Sequence, residues 1–239
     1  QRNVISGNAE QGIYFDNVDN STISGNYIGT NAAGTGDVSG AGMANAQSGV
    51  FIISGSSGNT IGGTAAGAGN VISGNNWYGL EFLVSGTTGN VAQGNFIGTD
   101  KTGLVALGNS SGGVSFWNFA SGNTLGGGVA GAGNVISANA GSGVQVAYGS
   151  SNNKVQGNII GLGVDGSTVL GNGNAGVYLY DGGAAGAVSG NLIGTDSDGS
   201  NDAGERNVIS ANQNGILLDT VAITANTVAG NYIGTDSTG

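Results

Sequence analysis

The chain contains no cysteine, no histidine and no proline. Without cysteine it has neither disulfide staples nor thiolate metal ligands. Without histidine it lacks the commonest general base and the commonest metal ligand. Basic side chains are scarce. Arg2, Lys101, Lys154 and Arg206 stand against 14 acids, for a net charge of −10. That is too few cations for a nucleic-acid surface, so no nucleic-acid partner is expected. Charged residues make up 8% of the chain, against roughly 25% in ordinary domains. No apolar run approaches the roughly 20 residues that span a bilayer, so no membrane insertion is expected.

What is present is glycine, at 52 of 239 residues, and asparagine, at 30. The glycines follow no three-residue period and proline is absent, which excludes collagen. Hydrophobic residues reach 38%, enough to bury a core. The solvated surface has to be built from Asn, Ser, Thr and Gly, a composition that suits regular, repetitive architectures.

Repetition is the dominant signal. Asn-Val-Ile-Ser occurs at 3–6, 70–73, 134–137 and 207–210. Gly-Asn-x-Ile-Gly occurs at 25–29, 94–98, 157–161, 190–194 and 230–234. A third line starts at Gly12-Ile13, Gly49-Val50, Gly79-Leu80, Gly113-Val114, Gly143-Val144, Gly176-Val177 and Gly215-Ile216, at intervals of 37, 30, 34, 30, 33 and 39 residues. An Asn-x-(Ile/Val/Leu) step follows most of these, at Asn59, Asn123, Asn153 and Asn226, with alanine in the last place at Asn90. One turn is thus thirty-odd residues with three short apolar segments. The segments alternate with period two and favour β-branched and aromatic residues, as in Gly176-Val-Tyr-Leu-Tyr180, which predicts strands. A single turn cannot bury its own apolar face, so turns must stack, each strand pairing in parallel with its equivalent about 4.8 Å away. The expectation is an all-β parallel β-helix of about seven coils.

Two sets of asparagines recur in register. Asn26, Asn95, Asn158, Asn191 and Asn231 form one, and Asn8, Asn75, Asn139 and Asn212, joined by Asn109 and Asn172, form the other. Asparagine tolerates left-handed corners, and its amides can bond from turn to turn. Stacked ladders are expected.

Asn-Val-Ile-Ser-Gly-Asn, Gly-Asn-Tyr-Ile-Gly-Thr and Gly-Asn-Thr-Ile-Gly-Gly resemble right-handed parallel β-helix repeats of the pectin-lyase-like superfamily, especially the Gly/Asn-rich arrays of bacterial secreted and surface proteins. The resemblance covers essentially the whole chain. It implies the fold but not the function, because the superfamily spans lyases, hydrolases, epimerases, tailspikes and adhesive stalks. Its enzymes act on the outer face of one strand line, with clustered acids and a basic partner. On the Gly-Val line the outward column would be Tyr14, Phe51, Glu81, Ser115, Gln145, Tyr178 and Leu217. A second column would be Asp16, Ile53, Leu83, Trp117, Ala147, Tyr180 and Asp219. A glycosidase needs two carboxyls about 5–10 Å apart, and neither column supplies neighbouring acids. Tyr14, Phe51, Glu81, Trp117, Tyr178 and Tyr180 are instead candidates for binding carbohydrate or a partner surface. The corner loops at 31–48, 101–112 and 162–175 could equally cover the aromatics.

The loop Thr195–Glu205 holds Asp196, Asp198, Asp202 and Glu205 around a central glycine, an oxygen-rich pattern for which calcium is the candidate ion, against the alternative of a solvated acidic turn. Thr30, Thr64, Thr99, Thr195 and Thr235 raise ice binding as a third idea, interrupted by Leu162. The expected role is a non-catalytic, secreted or cell-surface solenoid acting as a structural, adhesive or spacer module. A polysaccharide-active lyase or glycoside hydrolase is the competing reading. The chain begins inside a repeat and stops mid-motif. It is therefore expected to form one β-helix domain of a longer repeat protein, whose ends meet further repeats or other copies of the chain.

Overall fold

The computed structural model describes residues 1–36, 44–183 and 186–239. The middle of the expected corner loop 31–48, residues 37–43, lies outside the described residues. The chain winds as a right-handed parallel β-helix with three sheets running along its axis. Sheet 1 has eight two-residue strands: Val4–Ile5, Tyr27–Ile28, Val71–Ile72, Phe96–Ile97, Val135–Ile136, Ile159–Ile160, Val208–Ile209 and Tyr232–Ile233. Sheet 2 has seven longer strands: Ile13–Asp16, Val50–Ile53, Tyr78–Leu83, Gly112–Trp117, Val144–Ala147, Ala175–Tyr180 and Asn214–Asp219. Sheet 3 has seven, from Thr22–Ile23 through Thr60–Gly62, Val91–Gln93, Thr124–Gly126, Lys154–Gln156 and Leu192–Gly194 to Thr227–Ala229. A two-stranded ribbon pairs Val188–Ser189 with Ile223–Thr224. The only helix among the described residues is the single turn Asp202–Glu205.

Alternation decides what faces inward. In sheet 1 the second residue of each strand points to the axis. Ile28, Ile72, Ile97, Ile136, Ile160 and Ile209 form a column with no exposed surface. Each is worth about 1.5–3 kcal/mol by burial alone. Leu80, Val114, Val144 and Val177 make the matching column of sheet 2, and Phe82 stacks on Phe116 at 5.0 Å beside it.

Three asparagine ladders brace the corners. The first runs Asn3, Asn26, Asn70, Asn95, Asn134, Asn158, Asn207, Asn231. The second runs Asn8, Asn45, Asn75, Asn109, Asn139, Asn172, Asn212. The third runs Asn59, Asn90, Asn123, Asn153, Asn191, Asn226. In all three, each amide donates to the Oδ1 of the next turn, so the ladders share one polarity. Interior members also donate to a backbone carbonyl, as Asn95 does to Ile61.

Two details differ from the sequence reading. The Asn-Val-Ile-Ser and Gly-Asn-x-Ile-Gly lines are not separate strand lines. They alternate within sheet 1, so the true repeat is two turns. Asn191 leaves its expected group and joins the third ladder, because Leu192–Gly194 belongs to sheet 3. The shared motif records a shared physical problem: both corners need glycine, then a laddering asparagine, then an inward isoleucine. The glycine closing that motif is demanding too. Gly126 sits at φ +91, and a Cβ there would overlap the Gln156 carbonyl of the next turn.

Candidate functional site

Sheet 2 carries the candidate site because its strands of four to six residues make the broadest ordered face. The expected outward column is in register: Tyr14 pairs with Phe51, Phe51 with Glu81, Glu81 with Ser115, Ser115 with Gln145, and Gln145 with Tyr178. Aromatic rings occupy both ends. Tyr14 stacks on Phe51 at 5.5 Å. Trp117 lies 4.5 Å from Tyr148, Tyr148 meets Tyr180 edge-on at 5.7 Å, and Tyr178 stacks on Tyr180 at 5.5 Å. Tyr14 is exposed, while Phe51, Trp117, Tyr148, Tyr178 and Tyr180 are half-buried. The aromatic surface is thus fully open at Tyr14 and partly covered along the rest of its length.

Between the two aromatic groups the face dips. A cavity of about 230 Å³ is lined by Trp77, Tyr78, Glu81, Leu83 and Trp117. A second, of about 410 Å³, adjoins it and adds Ala46, Gln47 and Phe51 while sharing Trp77, Glu81 and Leu83. Glu81 is buried, and the Ser48 hydroxyl donates to its Oε2. Burial pushes the Glu81 carboxyl above the usual carboxylate range, opposed by hydrogen bonds from Ser48 and Trp77. Tyr78 reaches across the neighbouring strand to donate its hydroxyl to Gln145 Oε1 at 2.6 Å. Burial raises its phenol as well, against a hydrogen bond with Ser111 and assisted by the charge of Glu81. Ser115, next to Glu81 in register, has a fully buried hydroxyl with no hydrogen-bond partner.

Trp77, Tyr78 and Tyr148 were absent from the sequence-derived candidates. Strict alternation from Gly79-Leu80 sends Tyr78 inward, but it stands at the strand's first position, where the corner turns it out over Gly112. Tyr148 follows the last strand residue with φ +50, so period-two counting fails there. A run of three bulky residues, Asn76-Trp77-Tyr78, before the recurring Gly-Leu step was the one available hint.

The acids on this face do not pair. Glu81 has Phe51 and Ser115 as its register neighbours. Asp16 and Asp219 end the first and last strands of the sheet, and Asp219 accepts from the Tyr178 hydroxyl at 3.0 Å. Burial, then that bond, pushes Tyr178 up to about 12. The cations lie elsewhere. Arg2 and Arg206 stack over Tyr27 and Tyr232 of sheet 1 at 4.1 and 4.2 Å. Lys154, on sheet 3, reaches Asp196 at 3.4 Å. Lys101 sits in the turn after sheet 1.

In the acidic loop, Asp196, Asp202 and Glu205 bring carboxylate oxygens within 4.8 Å of one another. These are donors of the kind hard cations take. Asp198 stands outside that group, its carboxylate accepting the Ser200 N–H at 2.7 Å. Asp202 accepts from Thr195 Oγ1, and Glu205 accepts the Asp196 N–H. The threonines separate into two stacks, Thr30, Thr99 and Thr235 after sheet 1 and Thr64 and Thr195 after sheet 3. Thr30 and Thr99 are fully buried and donate to local carbonyls. No flat hydroxyl array for ice results.

No family model matches this sequence, and no curated protein matches it. Among solved structures, the chain is similar to crystal structures of the periplasmic alginate epimerase AlgG. One AlgG mutant superposes with a TM-score of 0.55 at 16% identity over 93% of this chain. Another AlgG structure gives 0.54 at 16% identity over 94%. The match spans 47% of those chains, so this chain covers about half their length. At that identity the likeness extends to the fold.

Proposed function

We propose that the chain is a non-catalytic polysaccharide-binding β-solenoid, a structural, adhesive or spacer module that holds a glycan along the outer face of sheet 2. The observation that carries this reading is the row of exposed and half-buried rings from Tyr14 to Tyr180, spread over successive turns and interrupted by a polar pocket. Flat aromatic faces suit the apolar faces of sugar rings, and the turn spacing suits an extended chain. Fold similarity to a polysaccharide-active enzyme supports the ligand class. It does not by itself supply a reaction, because the described residues bring no second carboxylate or base beside Glu81.

No helix among the described residues is long and apolar enough to cross a membrane, and a periplasmic neighbour fits a location outside the cytoplasm. The common polarity of the ladders supports continuation by further turns, from a longer parent chain or a second copy. The next amide in such a turn would accept from Asn231 as Asn231 accepts from Asn207. A glycan-array screen coupled to reducing-end and unsaturation assays tests the whole reading. Binding without bond cleavage supports it. Release of reducing or unsaturated ends would replace it with the enzyme reading, and a blank array would remove it.

A further inference from the structure

We infer that the pocket between Trp77 and Trp117 is a subsite for one uncharged pyranose, with Glu81 binding its hydroxyls. The inference rests on the glycan reading above and adds the charge class of the ligand and its anchoring residue. Three observations converge. The first is shape: a cavity of about 230 Å³, lined by two indoles, a phenol, Glu81 and Leu83, has room for one ring and continues into the adjoining cavity of about 410 Å³, where the next sugar of a chain would lie.

The second is polarity. The buried carboxyl of Glu81 is the one charged group that lines the slot. A sugar offers vicinal hydroxyls that donate to carboxyl oxygens, which matches the inventory of this group. The Ser48 hydroxyl fixes the carboxyl from the other side, so its geometry is set before a ligand arrives.

The third is charge. Among the described residues the acids of the face are Asp16, Glu81 and Asp219 of sheet 2, while all four cations are held on other parts of the coil. A uronate carboxylate entering this slot would lose its water beside another acid with no counter-ion, which is strongly unfavourable. A neutral ring meets no such penalty.

Titration calorimetry of the full chain tests this, using neutral hexaoses (cello-, xylo- and manno-oligosaccharides) and uronate hexaoses (galacturonate and mannuronate). At least one neutral hexaose is expected to bind, with uronates at least tenfold weaker. Glu81→Met keeps the volume and removes the acceptors. It should weaken that binding at least tenfold without lowering the melting temperature. Trp77→Leu, at a solvent-open position outside the core, reads the same pocket should Glu81→Met not fold. Val129→Ala, at an exposed corner after sheet 3 and off the aromatic face, should cost less than threefold. Neutral binding that survives both Glu81→Met and Trp77→Leu overturns the pocket while leaving the aromatic face as the ligand surface. Tighter binding of uronates overturns the charge class. Failure of every hexaose to bind overturns this inference and the glycan reading together.

Discussion

Replacing Asn158 with alanine removes one rung from the middle of the first ladder, and the structure sets the size of the effect. Asn158 is fully buried. Its Oδ1 accepts from the Asn134 side chain at 2.9 Å and from the Asn134 backbone N–H at 3.1 Å. Its Nδ2 donates to Asn207 Oδ1 at 3.0 Å, to the Leu125 carbonyl at 2.9 Å and to the Gln156 carbonyl at 3.0 Å. Alanine therefore orphans two donors and leaves three acceptors short, in a place water does not reach. An unsatisfied buried polar group costs about 1–3 kcal/mol. Allowing for one acceptor that keeps its other partner, the loss comes to about 2–5 kcal/mol. Asn226→Ala offers the internal comparison: that side chain is half-buried and accepts from Asn191 but has no next rung, so its loss should be about 1 kcal/mol. Urea denaturation followed by circular dichroism gives both values from the midpoint shift. Equal midpoints for wild type and Asn158→Ala would refute the reasoning and reduce these asparagines to simple corner residues.

The raised carboxyl of Glu81 makes a pH prediction. A carboxyl whose folded value lies above its ordinary 4.5 contributes stability that is complete below that value and lost as pH rises through the folded one. The melting temperature of wild type minus that of Glu81→Gln should fall between pH 4 and pH 8, and a constant difference would contradict the burial of the charge. Gly126→Ala combines a left-handed backbone with an overlap against Gln156 O. It should cost on the order of 4 kcal/mol or abolish soluble expression, and a normal melt would show that the corner can relax. Phe116→Ala empties half of the stacked pair with Phe82 and should cost about 3–5 kcal/mol by thermal melting, whereas a loss below 1 kcal/mol would mean that the interior collapses around the gap.

The fold was legible because stacking forces one physical solution to recur. Inward isoleucines, corner glycines and laddering asparagines each answer a local need, and each repeats in register. The same economy misled where two different corners share one solution. Asn191 reads like Asn158 in sequence, yet they sit on different ladders. Asn45 was invisible for the opposite reason: no Val-Ile or Leu-Gly motif surrounds it, although Asn8 and Asn75 hold its amide from both sides. The site was half legible. Period-two alternation placed Tyr14, Phe51, Glu81, Trp117, Tyr178 and Tyr180 on one face. It could not place Trp77, Tyr78 or Tyr148, which stand where strands begin or end and the alternation breaks. Nor could it show that the face dips around Glu81, because depth depends on what neighbouring turns fold over the strand.

Trp77 and Trp117 are the only two tryptophans in the chain, and both line the same pocket. Their fluorescence therefore reports on the outer face of sheet 2 and nowhere else. The measurement is tryptophan emission during titration with the neutral hexaose that binds best by calorimetry. The account predicts a saturable shift in emission with the calorimetric affinity, its midpoint moved at least tenfold higher in Glu81→Met. Calorimetric binding with unchanged emission would place the ligand on another part of the coil and contradict the central claim.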